Sequence, residues 1–127
     1  MTFPGVTKNP TAETQSDQTC VSVNPGICGF VCHITARKLN KKTVSLTIAE
    51  SECKQIQQLS GILKNIVLKE LFMPVTRNPV YLAAEQSGCH PSCPIPAAVL
   101  KAAEAAMEMA LPRDVLIQFE LCKGDED

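Results

Sequence analysis

The chain has no tryptophan, one tyrosine and four phenylalanines among 127 residues. Such scarcity excludes an aromatic platform for stacking single-stranded bases. Charge of one sign is missing as well. Twelve Lys and Arg face thirteen Asp and Glu, for a formal net charge of −1, so there is no electrostatic footprint for nucleic acid. No apolar run approaches the length of a membrane span, and the opening residues, "MTFPGVTKNPTAETQSDQTC", lack the apolar region of a secretory signal. No phosphate-cradling glycine loop, Ser-His-Asp arrangement or paired-carboxylate motif occurs, which argues against a conventional kinase or hydrolase. Neither nucleic acid nor membrane is expected as a partner.

Cysteine, by contrast, is abundant: the chain has seven. An odd number without a signal region favours a reducing cytoplasm, where grouped thiols serve metal or redox chemistry more often than disulfides.

The chain length sets one domain with one core. Residues 1–18, rich in Thr, Pro, Gln and Asn, have no periodicity and are expected to form a tail. A single domain spans 19–122, and 123–127 form a charged end. In "TCVSVN" Val21 and Val23 share a face, which predicts a first strand. "FVCHITA" puts Phe30, Cys32, Ile34 and Ala36 on one face of a second. "TVSLTIAE" puts Val44, Leu46 and Ile48 on one face of a third. "RKLNKK" (37–42) falls at the tip between the last two, where it reads as a solvated turn. Two successive hairpins make an antiparallel meander.

Ser51 reads as a helix N-cap with Glu52 and Cys53 in the first turn. Ile56, Leu59, Leu63 and Ile66 follow at helical spacing, with Gly61 as a possible division. Asn78, Pro79 and Gly88 bracket a short second helix as cap, first position and stop. The stripe Val99, Leu100, Ala103, Met107 and Ala110 predicts a third. "LPRD" then turns the chain into a last strand, Val115 to Leu121, expected parallel to the third. The expected fold class is therefore α+β in two layers, with helices on one face of the sheet.

Cys32, on the apolar face of its strand, reads as a small buried hydrophobe. Cys20 and Cys122 carry no pattern. Cys28 lies in the glycine-flanked turn "NPGICGF", Cys53 at one helix start, and Cys93 at another. Gly-rich turns and helix N-termini both favour a thiolate. The meander brings Cys28 and Cys53 to one end of the sheet, and a right-handed crossover into the last strand would bring Cys93 there too. The expected metal ligands are Cys28, Cys53, Cys89 and Cys93, with His90 as the alternative to Cys89. Such a set suits zinc or an iron–sulfur cluster. If they serve one site, Cys28, Cys53 and Cys93 should have sulfurs within about 4–7 Å of one another, since zinc–thiolate bonds are about 2.3 Å.

At "VNPGICGF", "AESEC", "CHPSCPIPAAVLKA" and "LPRDVLIQFE" the chain resembles a family of small uncharacterised prokaryotic proteins common among anaerobes, over residues 21–121. The resemblance implies the domain boundaries and no activity. "CPIP", Cys93 to Pro96, also resembles the helix-opening Cys-Pro-x-Pro of sulfur-relay carriers, whose cysteine holds a persulfide. That likeness implies a second reading, a thiol carrier with Cys93 as nucleophile and Cys28 or Cys53 as resolving partner. A third reading is a non-catalytic interaction domain with incidental cysteines.

Overall fold

The computed structural model describes residues 18–26, 29–49 and 51–123. The expected N-terminal tail, the last four residues of the charged end, and Cys28 lie outside these, Gln18 and Lys123 excepted.

The meander is present. Strand β1 (Gln18–Val23) pairs antiparallel with β2 (Cys32–Lys38), which pairs antiparallel with β3 (Thr43–Ala49). Val23 lies opposite Cys32 and His33 opposite Ala49, so β1 and β3 end where β2 begins. Cys32, Ile34 and Ala36 are fully buried, with Val44, Leu46 and Ile48 beside them. This is the parity that period-two alternation demands. The second strand starts later than expected, and Phe30 remains outside it and exposed. The basic tip closes through Leu39 N–H to Thr43 O at 2.9 Å and Lys42 N–H to Asn40 Oδ1 at 2.8 Å.

The fourth strand comes from a different place than expected. It is β4 (Asn65–Val67), antiparallel to β3 with Val44 opposite Ile66. Helix α1 (Lys54–Ile62) closes one turn before Ile66, and Leu63 N–H caps Leu59 O at 2.8 Å. Ile66 keeps its burial by entering the sheet rather than by continuing the helix. The apolar period alone cannot separate these outcomes, because a short buried strand and a helical turn both bury one residue in three or four.

Residues 115–121 form no strand parallel to β3. With β4 on one edge and β1 on the other, the sheet order is β1-β2-β3-β4. The alternation of "VLIQFEL" is real, but among the described residues it pairs with no strand.

Helix α1 begins at Lys54 with Cys53 as N-cap, two residues later than the sequence suggests. Ser51 contributes otherwise: its Oγ accepts the Cys53 N–H at 3.1 Å. A short helix α2 (Leu68–Leu71) and a 3-10 turn (Val75–Arg77) lead to α3 (Pro79–Gln86). Asn78 caps α3, accepting the Val80 N–H at 3.0 Å, with Pro79 in the first position as expected. Its buried amide also donates to the carbonyls of Glu70 and Met73, each at 3.2 Å, tying α2 to α3.

Helix α4 (Ile95–Ala106) buries Ile95, Pro96, Val99, Ala102, Ala103 and Ala106. Its alanines allow close approach to β1 and β2, which it contacts most. Helices therefore cover one face, making an α+β fold in two layers. No helix among the described residues is long and apolar enough to cross a membrane.

Candidate thiol site

Three backbone devices position the cysteines. The first is the C-terminus of α3. Gly88 takes φ +75°, a left-handed conformation that glycine adopts without a Cβ penalty. Gly88 N–H then bonds Glu85 O and Cys89 N–H bonds Ala84 O, each at 3.0 Å. This is the double closure of a Schellman motif, and it folds Cys89 back onto the last turn of its helix.

The second device is the turn His90-Pro91-Ser92-Cys93, closed by Cys93 N–H to His90 O at 3.0 Å. Proline at the second position presets this turn. Pro94 then caps α4, so Cys93 stands one residue before the cap. The spacing in "CHPSC" thus places two thiols at the two ends of one closed turn.

The third device is the start of α1. Cys53 O accepts the first helical bond, from Gln57 N–H at 2.9 Å, and Cys53 Sγ donates to Gln55 Oε1 at 3.2 Å. A Cβ built on Gly88 would stand 3.9 Å from Gln55 Cγ. The start of α1 therefore lies against the segment that carries Cys89.

Electrostatics shows which thiols share a neighbourhood. Burial pushes the Cys32 thiol up from 9.0 to about 11, and Cys93 and then Cys53 add to the rise. Cys89 is raised by burial first, then by the same two thiols. Cys53, at the start of α1, and Cys93, at the end of the 90–93 turn, therefore each lie within electrostatic reach of Cys32 on β2 and of Cys89 just before that turn. Cys53, Cys89 and Cys93 are half-buried against the core, and Cys32 is fully buried.

Of the expected ligands, Cys53 and Cys93 both lie within electrostatic reach of Cys89. Cys28 lies outside the described residues. His90 is exposed and takes part through its carbonyl, which sets it behind Cys89. Among the described residues no group of three or more His, Cys, Asp or Glu stands close enough to hold a metal ion. Cys20 and Cys122 are exposed and apart from the cluster in the sequence pattern.

Cys32 is the member that sequence reasoning missed. Its burial follows from strand parity, but its position as the first residue of β2, at the end where the other thiols gather, is also legible in the sequence. The gathering survives without the crossover that was expected to produce it, because α3 and its closed turn deliver α4 to that end.

Two further features mark the place. Neither α1 nor α4 has an acidic residue in its first turn, so no carboxylate from those turns offsets their positive ends. Ser87, two residues before Cys89, is buried, and its Oγ has no hydrogen-bond partner among the described residues.

No curated protein and no solved structure matches the chain. Residues 19–119 match the model of a family of unknown function, DUF6951. The match runs from the first strand into the exposed C-terminal segment, and the chain belongs to that family.

Proposed function

We propose that the protein binds a metal, zinc or an iron–sulfur cluster, through thiolates at the end of the sheet where β1 and β3 finish. The ligands are Cys53, Cys89 and Cys93, with Cys28 as the fourth. Cys32 forms the wall behind them, its thiol kept protonated by burial. The observation that carries this reading is that Cys53 and Cys93, from separate stretches of chain, each lie within electrostatic reach of both Cys32 and Cys89.

The chemistry supports the assignment in two ways. Soft thiolate ligands select zinc and iron–sulfur clusters. The positive ends of α1 and α4 favour the negative charge that bound thiolates bring. Metal binding must displace protons held by partly desolvated thiols, so affinity should rise with pH. A cytoplasmic, reducing location fits this use of cysteine.

The experiment is purification without oxygen, followed by the absorption spectrum and zinc, iron and sulfide analysis. About one zinc per chain, or iron with matching sulfide and thiolate-to-iron absorption, is the expected result. Metal-free protein with one fast-alkylating thiol at Cys93 would support the persulfide-carrier reading instead. Metal-free protein with uniformly slow thiols would leave a non-catalytic interaction domain.

A further inference from the structure

Beyond the thiol site, two complementary features have no partner among the described residues, an outer strand edge and an exposed C-terminal arm. The edge is β1. It is the outermost strand of the sheet, and its sequence, "QTCVSV", has no charge and no proline. Natural edge strands are usually blunted by such residues or by a bulge. Val21 and Val23 face the core from this strand yet remain only half-buried, whereas Ile34 on the neighbouring strand is 0% exposed. One further strand would complete their cover.

The arm follows α4. That helix ends in a second Schellman motif, with Glu108 at φ +64°, Glu108 N–H to Ala105 O at 3.0 Å, and Met109 N–H to Glu104 O at 2.8 Å. A non-glycine residue held left-handed sets the direction in which the chain leaves. Residues 111–123 are then exposed throughout. Ile117 is 80% exposed, Phe119 98% and Leu121 92%. Val115, Ile117, Phe119 and Leu121 alternate with Leu116, Gln118 and Glu120, the pattern of a strand with one buried face. So long an apolar stretch in water marks an interaction site.

We propose that residues 115–121 of one copy add as a fifth strand to the β1 edge of a second copy, and the reverse. Seven residues of arm match the six of β1 in length. Each copy offers one arm and one edge of matching length, since β4, on the other side of the sheet, has three residues, so a two-fold pair satisfies both. Main-chain pairing supplies affinity, and the alternating apolar side chains extend the cover over Val21 and Val23. The arm's own edge is the competing acceptor. Among the described residues nothing pairs with that edge, and the exposed arm leaves from a hydrogen-bonded helix end.

The test is the solution mass of the full chain under reducing conditions over a concentration series, with hydrogen exchange read on 18–23 and 115–121. The comparison is the double variant Ile117→Lys with Phe119→Lys, whose sites are exposed in the single copy and so leave its fold intact. Wild type should have twice 13.7 kDa and slow exchange in both segments. The variant should dimerise at least tenfold more weakly, keep its circular dichroism, and lose protection in both segments together. A monomeric wild type overturns the proposal, whether its arm is protected on its own edge or unprotected. A dimer that the double variant leaves unchanged overturns it as well.

Discussion

The thiol of Cys53 donates to Gln55 Oε1 at 3.2 Å, so Gln55 is in direct contact with this candidate ligand. An amide can turn and offer its NH2 group to a thiolate, but a carboxylate cannot. Gln55→Glu should therefore weaken metal binding by roughly 10–100-fold, the usual effect of altering a partner of a metal ligand. The melting temperature of the metal-free protein should hardly change. Competition with a chelator of known affinity reads the first effect, and calorimetry of the apo form the second. Unchanged affinity would separate Cys53 from the metal.

Cys32 gives the metal-free protein a pH dependence. Its folded-state pKa, about 11, lies above its ordinary value of 9.0 because burial disfavours the thiolate. Below 9 both folded and unfolded chains hold the proton, and the stabilisation from the buried neutral thiol is fully present. Between 9 and about 11 only the unfolded chain releases it, so stability falls as pH rises, by up to about 1.4 kcal/mol per pH unit. Urea unfolding at pH 8, 9 and 10, wild type against Cys32→Ala, isolates this slope. The two curves should converge as pH increases. Parallel curves would mean that the Cys32 thiol is not buried as described.

Asn78 joins two elements through one amide, and the two halves of that amide can be tested separately. Asn78→Ala removes the cap on α3 and the donor to the Glu70 and Met73 carbonyls, and should cost about 2–4 kcal/mol. Asn78→Ser restores a capping oxygen, so it should recover roughly 1 kcal/mol of that loss. Equal denaturation midpoints for the two variants would show that the cap contributes nothing.

Ser87 Oγ is buried without a partner among the described residues. In the metal-free protein, Ser87→Ala should raise stability, by about 1 kcal/mol, because it deletes an unsatisfied polar group at little cost in volume. Thermal unfolding of the apo form checks this. A loss of stability would mean that the hydroxyl has a partner such as a bound water.

Much of this fold is legible in the sequence, and the failures have physical causes. Alternation identifies β1, β2 and β3 because each has one buried face, and Asn78, Pro79 and Gly88 announce α3 by cap, ring and left-handed stop. Ile66 misleads because its spacing from Leu59 and Leu63 suits a helix while its burial is satisfied by a strand. Residues 115–121 mislead differently. Their pattern specifies a strand, but pairing requires an edge, and period-two alternation does not say which edge or whose. For the site, helix starts point to Cys53 and Cys93, their neighbour Cys89 follows from "CHPSC", and the glycine turn points to Cys28. Cys32 is hidden because strand parity alone accounts for its burial, although a sheet end can both bury a thiol and set it beside others.

The most direct measurement is titration of the reduced, metal-free protein with cobalt(II), which reports thiolate ligation by its charge-transfer absorption. The account predicts saturation at about one cobalt per chain with a tetrahedral, thiolate-rich spectrum, displaced by zinc. Cys53→Ser, Cys89→Ser and Cys93→Ser should each weaken that spectrum, while His90→Ala leaves it intact. Absence of thiolate charge transfer with all seven thiols reduced, or spectra indifferent to the three serine variants, would contradict it.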